Sequence, residues 1–95
     1  MITAKFYKDG FLIKGHGTTD EDDEEGRLVC SAVSSAAIMA ANTITEILED
    51  TSIVTCEEGY LSVRNIKKES EVILKGLKLH ITELSKKHKN RIIIS

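Results

Sequence analysis

Two side chains in the first third of the chain, His16 and Cys30, are of the types that form a nucleophile and its base. A cysteine thiolate attacks carbonyl carbon, and an imidazole within reach takes the thiol proton and later returns it to the leaving group. His16 stands between Gly15 and Gly17, and Cys30 follows fourteen positions later in Leu28-Val29-Cys30-Ser31-Ala32-Val33-Ser34. Between them runs an unbroken acidic stretch, Asp20-Glu21-Asp22-Asp23-Glu24-Glu25. Taken singly, each feature has a plainer reading. A cysteine is a small buried hydrophobe, a histidine is a strand end, and an acidic run is a solvated loop. The reactive reading needs all three to be brought together by the fold.

The elements that would do so can be read from periodicity. Ile2, Ala4 and Phe6 alternate with Thr3, Lys5 and Tyr7, as in a strand with one buried face. Asp9-Gly10 then signals a hairpin turn, and residues 11–16 form the returning strand, which puts His16 at a strand end. From residue 28 to 48 the period changes. Val29, Val33, Ala36, Ala40, Ile44, Ile47 and Leu48 recur at helical spacing. Cys30 is expected in or just before the first turn of that helix, where the dipole and unpaired N–H groups favour a thiolate and could hold an oxyanion. The glycines around His16 would leave room for a substrate backbone. Ile53–Cys56 and Tyr60–Arg64, around Glu57-Glu58-Gly59, form a second hairpin signal. Ile73, Leu77, Ile81 and Leu84 stripe a second helix from Ser70 to about Lys87. It is weakened at Gly76, with Asn90 as its cap, and Arg91–Ile94 is a last strand. The order β-β-α-β-β-α-β predicts an α+β two-layer sandwich, a mainly antiparallel sheet with both helices on one face, in one domain spanning 1–95.

Composition narrows the function classes. At 95 residues and net charge −2, with no proline, the chain is neither disordered nor a general nucleic-acid binder. The longest apolar run falls short of the roughly 20 residues of a membrane span, and the N-terminus lacks the order of a signal peptide. A cytoplasmic protein is expected, with Cys30 and Cys56 as free thiols. Cys56 shares a strand face with Val54. The acidic run fails as a calcium loop, because Glu25 and Ser31 stand where glycine and glutamate are required. His80 and His88, with no cysteine at ligand spacing, make no zinc site. No metal or cofactor is implied. The bases Lys86, Lys87, Lys89 and Arg91 read as helix capping. They lack the interleaved aromatics of an RNA-binding face, so no direct nucleic-acid contact is required.

Gly15-His16-Gly17, followed after a loop by Gly26-Arg27-Leu28-Val29-Cys30-Ser31-Ala32-Val33-Ser34, resembles the signature of the Prp family of ribosomal-processing cysteine proteases (YsxB-like proteins). That signature is a Gly-His-Ala-like step, a loop, and Gly-x-Asp-Ile-Val-Cys-Ala-Ala-Val-Ser. The likeness extends over essentially the whole chain, and the Val-Cys-Ser-Ala-Val-Ser block is its specific part. It implies a homodimeric peptidase that removes the N-terminal extension of a large-subunit ribosomal protein, number twenty-seven, during ribosome maturation. In it Cys30 would be the nucleophile and His16 the base, with Ser34 orienting the site. Arg27 departs from the pattern. The aspartate expected there is either unreplaced or replaced by Asp23 or Glu25. The acidic residues Asp20 to Glu25 would attract a cationic substrate. The competing class is a non-catalytic ribosome-associated binding module.

Overall fold

The computed structural model describes residues 1–15 and 23–95. Among the described residues five strands and two α-helices follow one another as β1 (Ile2–Tyr7), β2 (Gly10–Gly15), α1 (Glu24–Asn42), β3 (Ile53–Glu57), β4 (Tyr60–Arg64), α2 (Glu71–Lys87) and β5 (Ile92–Ile94). The sheet order is β3-β4-β2-β1-β5. Every pairing is antiparallel except that of β5, which lies parallel to β1 with Ile2 opposite Ile92. Both helices cover one face of the sheet, so the expected α+β sandwich is the architecture found.

The alternation in β1 and β2 decides which face is covered. Ile2, Ala4, Phe11 and Ile13 point toward the helices and are buried, Phe11 and Ala4 completely. Their counterparts Val63 on β4 and Ile92 on β5 continue the same face. The first hairpin closes differently from the sequence expectation. Lys8 and Asp9 make the turn, and Gly10 is already paired with Tyr7. Gly10 is needed for space, since a Cβ there would sit 1.9 Å from the Val63 carbonyl oxygen. Asp9 ties the turn to the end of β4, accepting from Arg64 Nε at 3.1 Å and from the Asn65 amide at 3.1 Å. The Arg64 guanidinium stacks 3.8 Å above the Tyr7 ring and, as hydrogen-bond donor, holds the Asp9 carboxyl below its ordinary value.

α1 begins four residues before the expected start. Asp23 caps it, accepting from the Gly26 amide at 3.0 Å, and Glu24 and Glu25 occupy the first turn, where negative charge suits the dipole. The helix ends in a π turn, Thr43–Ile47, and the chain leaves through Glu49 in the left-handed region, φ 52°. By length and composition the 24 residues Glu24–Ile47 would suffice to cross a membrane, contrary to the sequence expectation. Six of their residues, Val29, Val33, Ala37, Ala40, Ala41 and Ile44, are buried in the core, while Leu28, Ile38, Met39 and Ile47 stay exposed.

On α2, Leu74, Leu77 and Ile81 are buried, and Ile73 and Leu84 pack beside them. Its C-cap is His88 rather than Asn90, which takes a left-handed turn conformation, φ 68°. The approach to α2 is fixed by Asp50, a buried carboxylate that accepts from the Lys67 amide and the Ser70 hydroxyl, both at 2.7 Å. Burial pushes its pKa up, but these two donors outweigh burial and hold it below 3.8.

Candidate active site

Cys30 lies six residues into α1, on the side of the helix that leans over the sheet. It is half-buried and lines a cleft of about 160 Å³. The floor and walls come from three strands. Ile13 and Gly15 end β2, Cys56 and Glu57 end β3, Gly59 completes the β3–β4 turn, and Tyr60 and Leu61 open β4. Ser34, one turn after Cys30, lines the same cleft, with Ile38 a further turn along. The cleft therefore sits where the end of β2 meets the β3–β4 hairpin under the first half of α1.

Gly15 has a structural duty here. Its φ is +102°, and a Cβ would come 2.4 Å from the Met1 carbonyl oxygen. Its amide donates to the Gly59 carbonyl at 2.9 Å, which draws the β3–β4 turn against the end of β2. His16 follows Gly15 directly. His16, Gly17, Asp20, Glu21 and Asp22 lie outside the described residues.

The early start of α1 changes the expected chemistry of Cys30. The N–H groups left over at the helix start belong to residues 24–26, more than a turn before Cys30, and that of Gly26 is already donated to Asp23. The N–H groups around Cys30 are inside the helical ladder. Neither a helix-start oxyanion hole nor the full effect of the dipole, which fades within the first turn, acts at this sulfur.

The acidic run is also divided. Asp23, Glu24 and Glu25 belong to the cap and first turn of α1 rather than to a loop. Asp23 binds Arg91, and Glu25 accepts from Arg91 Nε at 3.1 Å. Uneven charge along the sequence is thus partly satisfied within the molecule: an acid cluster and a base from the far end of the chain meet at the start of α1. Both carboxylates considered as substitutes for the missing aspartate are engaged there. Arg27 itself is exposed.

Sequence reasoning missed the second wall of the cleft. Cys56 was placed on a strand face with Val54, and that is where it lies. Its position across the cleft from α1 depends on β3 being the outermost strand next to β4, a long-range arrangement that no local pattern reports. Glu57 is the one carboxylate lining the cleft among the described residues. Among those residues no group of three or more metal-ligating side chains is present.

Comparison with known proteins gives the chain a setting. The family model described as cysteine protease Prp matches residues 1–93. No curated protein sequence gave a significant match. Among solved structures, the S. aureus ribosomal processing protease Prp with a covalently linked product peptide superposes with TM-score 0.83 at 16% identity, covering 100% of this chain and 98% of that one. The same S. aureus protease with a substrate peptide gives 0.81 at 13% identity, covering 99% and 95%. SMU.848 from Streptococcus mutans gives 0.73 at 18% identity, covering 99% and 93%.

Proposed function

Since the chain belongs to the cysteine protease Prp family, we propose that it is a cytoplasmic endopeptidase that trims the N-terminal extension of large-subunit ribosomal protein twenty-seven, with Cys30 as nucleophile and His16 as its base. The observation that carries this reading is the placement of Cys30. Its half-buried sulfur faces a cleft formed by the end of β2, directly before His16, with the Ser34 hydroxyl one helical turn away.

The reaction then follows from elementary steps. His16 takes the proton from Cys30 Sγ, and the thiolate adds to the scissile carbonyl carbon. As the tetrahedral intermediate collapses, the C–N bond breaks and His16 delivers its proton to the leaving amine. Water, deprotonated by His16, hydrolyses the resulting thioester and restores the thiol. Ser34 orients the reacting groups by hydrogen bonding. Its test is rescue by threonine but not by alanine at position 34, read in kcat rather than KM. Asp20, Glu21, Asp22 and the exposed Glu24 attract the cationic precursor, whereas Asp23 and Glu25 are engaged by Arg91. The chain acts as a homodimer, for which the small-residue helix α1 and the apolar strand β5 are the candidate interfaces.

The experiment is cleavage of the full-length precursor from the same genome, followed by mass spectrometry. The wild type removes the extension, Cys30→Ala leaves the precursor intact, and His16→Ala slows cleavage by at least about 10²-fold. Wild-type rates in Cys30→Ala would remove the assignment.

A further inference from the structure

We propose that the substrate docks as an added β-strand along the outer edge of β3, which carries the extended peptide into the Cys30 cleft. This rests on the peptidase reading above and adds the binding mode and a sequence preference.

The edge itself is unusual. All five residues of β3 are exposed, Ile53 and Val54 by 62% and 41%. Proteins normally blunt such edges with proline, lysine, bulges or brevity. β3 has neither proline nor lysine, and it pairs with β4 without a bulge from Ile53–Arg64 to Glu57–Tyr60. The opposite edge, β5, is only three residues long.

The ladder fixes which backbone groups of β3 are available. The Gly15 amide donates to the Gly59 carbonyl, so Gly59, and by alternation Leu61 and Val63, direct their backbone groups toward β2. Tyr60, Ser62 and Arg64 therefore bond toward β3, through Glu57, Thr55 and Ile53. The amides and carbonyls of Val54 and Cys56 point outward, with no partner among the described residues. Two outward-facing residues, the second of them lining the Cys30 cleft, make a short template for an extended peptide.

The surroundings specify what kind of peptide fits. Val54 and Cys56 share the helix-facing side of the sheet with the core residue Val63 and with Leu61, which is half-buried against the core. The cleft continues along α1 into a shallow groove that shares Ser34 and Ile38 with it and runs on to Glu46 and Ile47. Among the described residues no lysine or arginine lines either depression, while Glu46 and Glu57 do. An added strand would set alternate side chains against Ile38 and Ile47, which are 50% and 74% exposed, and the acids favour positive charge between them. The occupant is an extended cationic peptide with apolar residues at every second position.

The test separates docking from catalysis. A peptide of about 12 residues spanning the processing junction is made in single backbone N-methylated versions, and binding to Cys30→Ala protein is measured by fluorescence anisotropy. N-methylation at every second amide should weaken binding at least fivefold, and the amides between should change it less than twofold. Val54→Pro, which removes an outward N–H while leaving the β3–β4 ladder, should weaken the parent peptide to the same extent with an unchanged thermal midpoint. An even response to N-methylation overturns the docking mode, even where the wild type still cleaves. A dimer that Val54→Pro dissociates assigns the edge to a second copy and equally overturns it. Alternating sensitivity together with cleavage by Cys30→Ala keeps the docking mode and removes the catalytic assignment instead.

Discussion

The two hairpins are built alike and used differently. Each has strands of five or six residues joined by a two-residue turn. The first lies inside the sheet, flanked by β4 and β5, and its turn is locked by Asp9 and Gly10 against the end of β4. The second ends the sheet: β4 is half-buried, β3 is exposed throughout, and its turn is drawn to the cleft by one bond from Gly15 to Gly59. The difference teaches that turn chemistry sets where a hairpin reverses, while sheet order sets whether it supports a site or presents one.

That comparison can be broken by equivalent substitutions in the two turns. Gly10→Ala should cost about 3 kcal/mol or more, because the new methyl meets the Val63 carbonyl and neither backbone can yield. Urea titration followed by circular dichroism checks it. Gly59→Ala should cost about 1–2 kcal/mol, the penalty for a side chain at φ +70°. Equal losses would contradict the distinction between a locked and a presented hairpin. The clamps rank below the clash. Asp50→Asn should lose about 1–3 kcal/mol, since the Ser70 hydroxyl and Lys67 amide then face a weaker acceptor. The folded pKa of Asp50 is lower than its unfolded one. Its stabilisation is therefore complete above about pH 4 and declines as pH falls through the folded value. Asp50→Asn should remove part of that acid-side loss in a pH series of thermal midpoints. The smallest effect lies away from both hairpins. Gly76 is exposed mid-helix with open space around it, so Gly76→Ala should stabilise by about 0.5–1 kcal/mol.

Much of the fold was legible because it depends on local period. Ile2 and Ala4, Phe11 and Ile13, and Leu77 and Ile81 each declare a buried face by spacing alone. The start of α1 was not legible in the same way. Asp23, Glu24 and Glu25 suit a loop and a helix N-terminus equally well, and only the cap on Gly26 and the pairing with Arg91, 68 positions away, decide between them. The site was half legible. Cys30 and Ser34 share a helix face by spacing, so their common cleft is implied once the helix is recognised. Cys56, Glu57 and Tyr60 enter that cleft only because β3 and β4 extend the sheet beyond β2.

The cleft therefore holds two thiols, and the central claim is that one of them, Cys30, attacks the substrate. The most direct measurement is to treat wild-type protein with a peptide chloromethyl ketone that ends at the processing junction, then map the adduct by tryptic mass spectrometry. The account predicts a single adduct on Cys30, formed faster than by the amino-acid chloromethyl ketone alone, with Cys56 unmodified. An adduct on Cys56, or equal labelling of both, would contradict it.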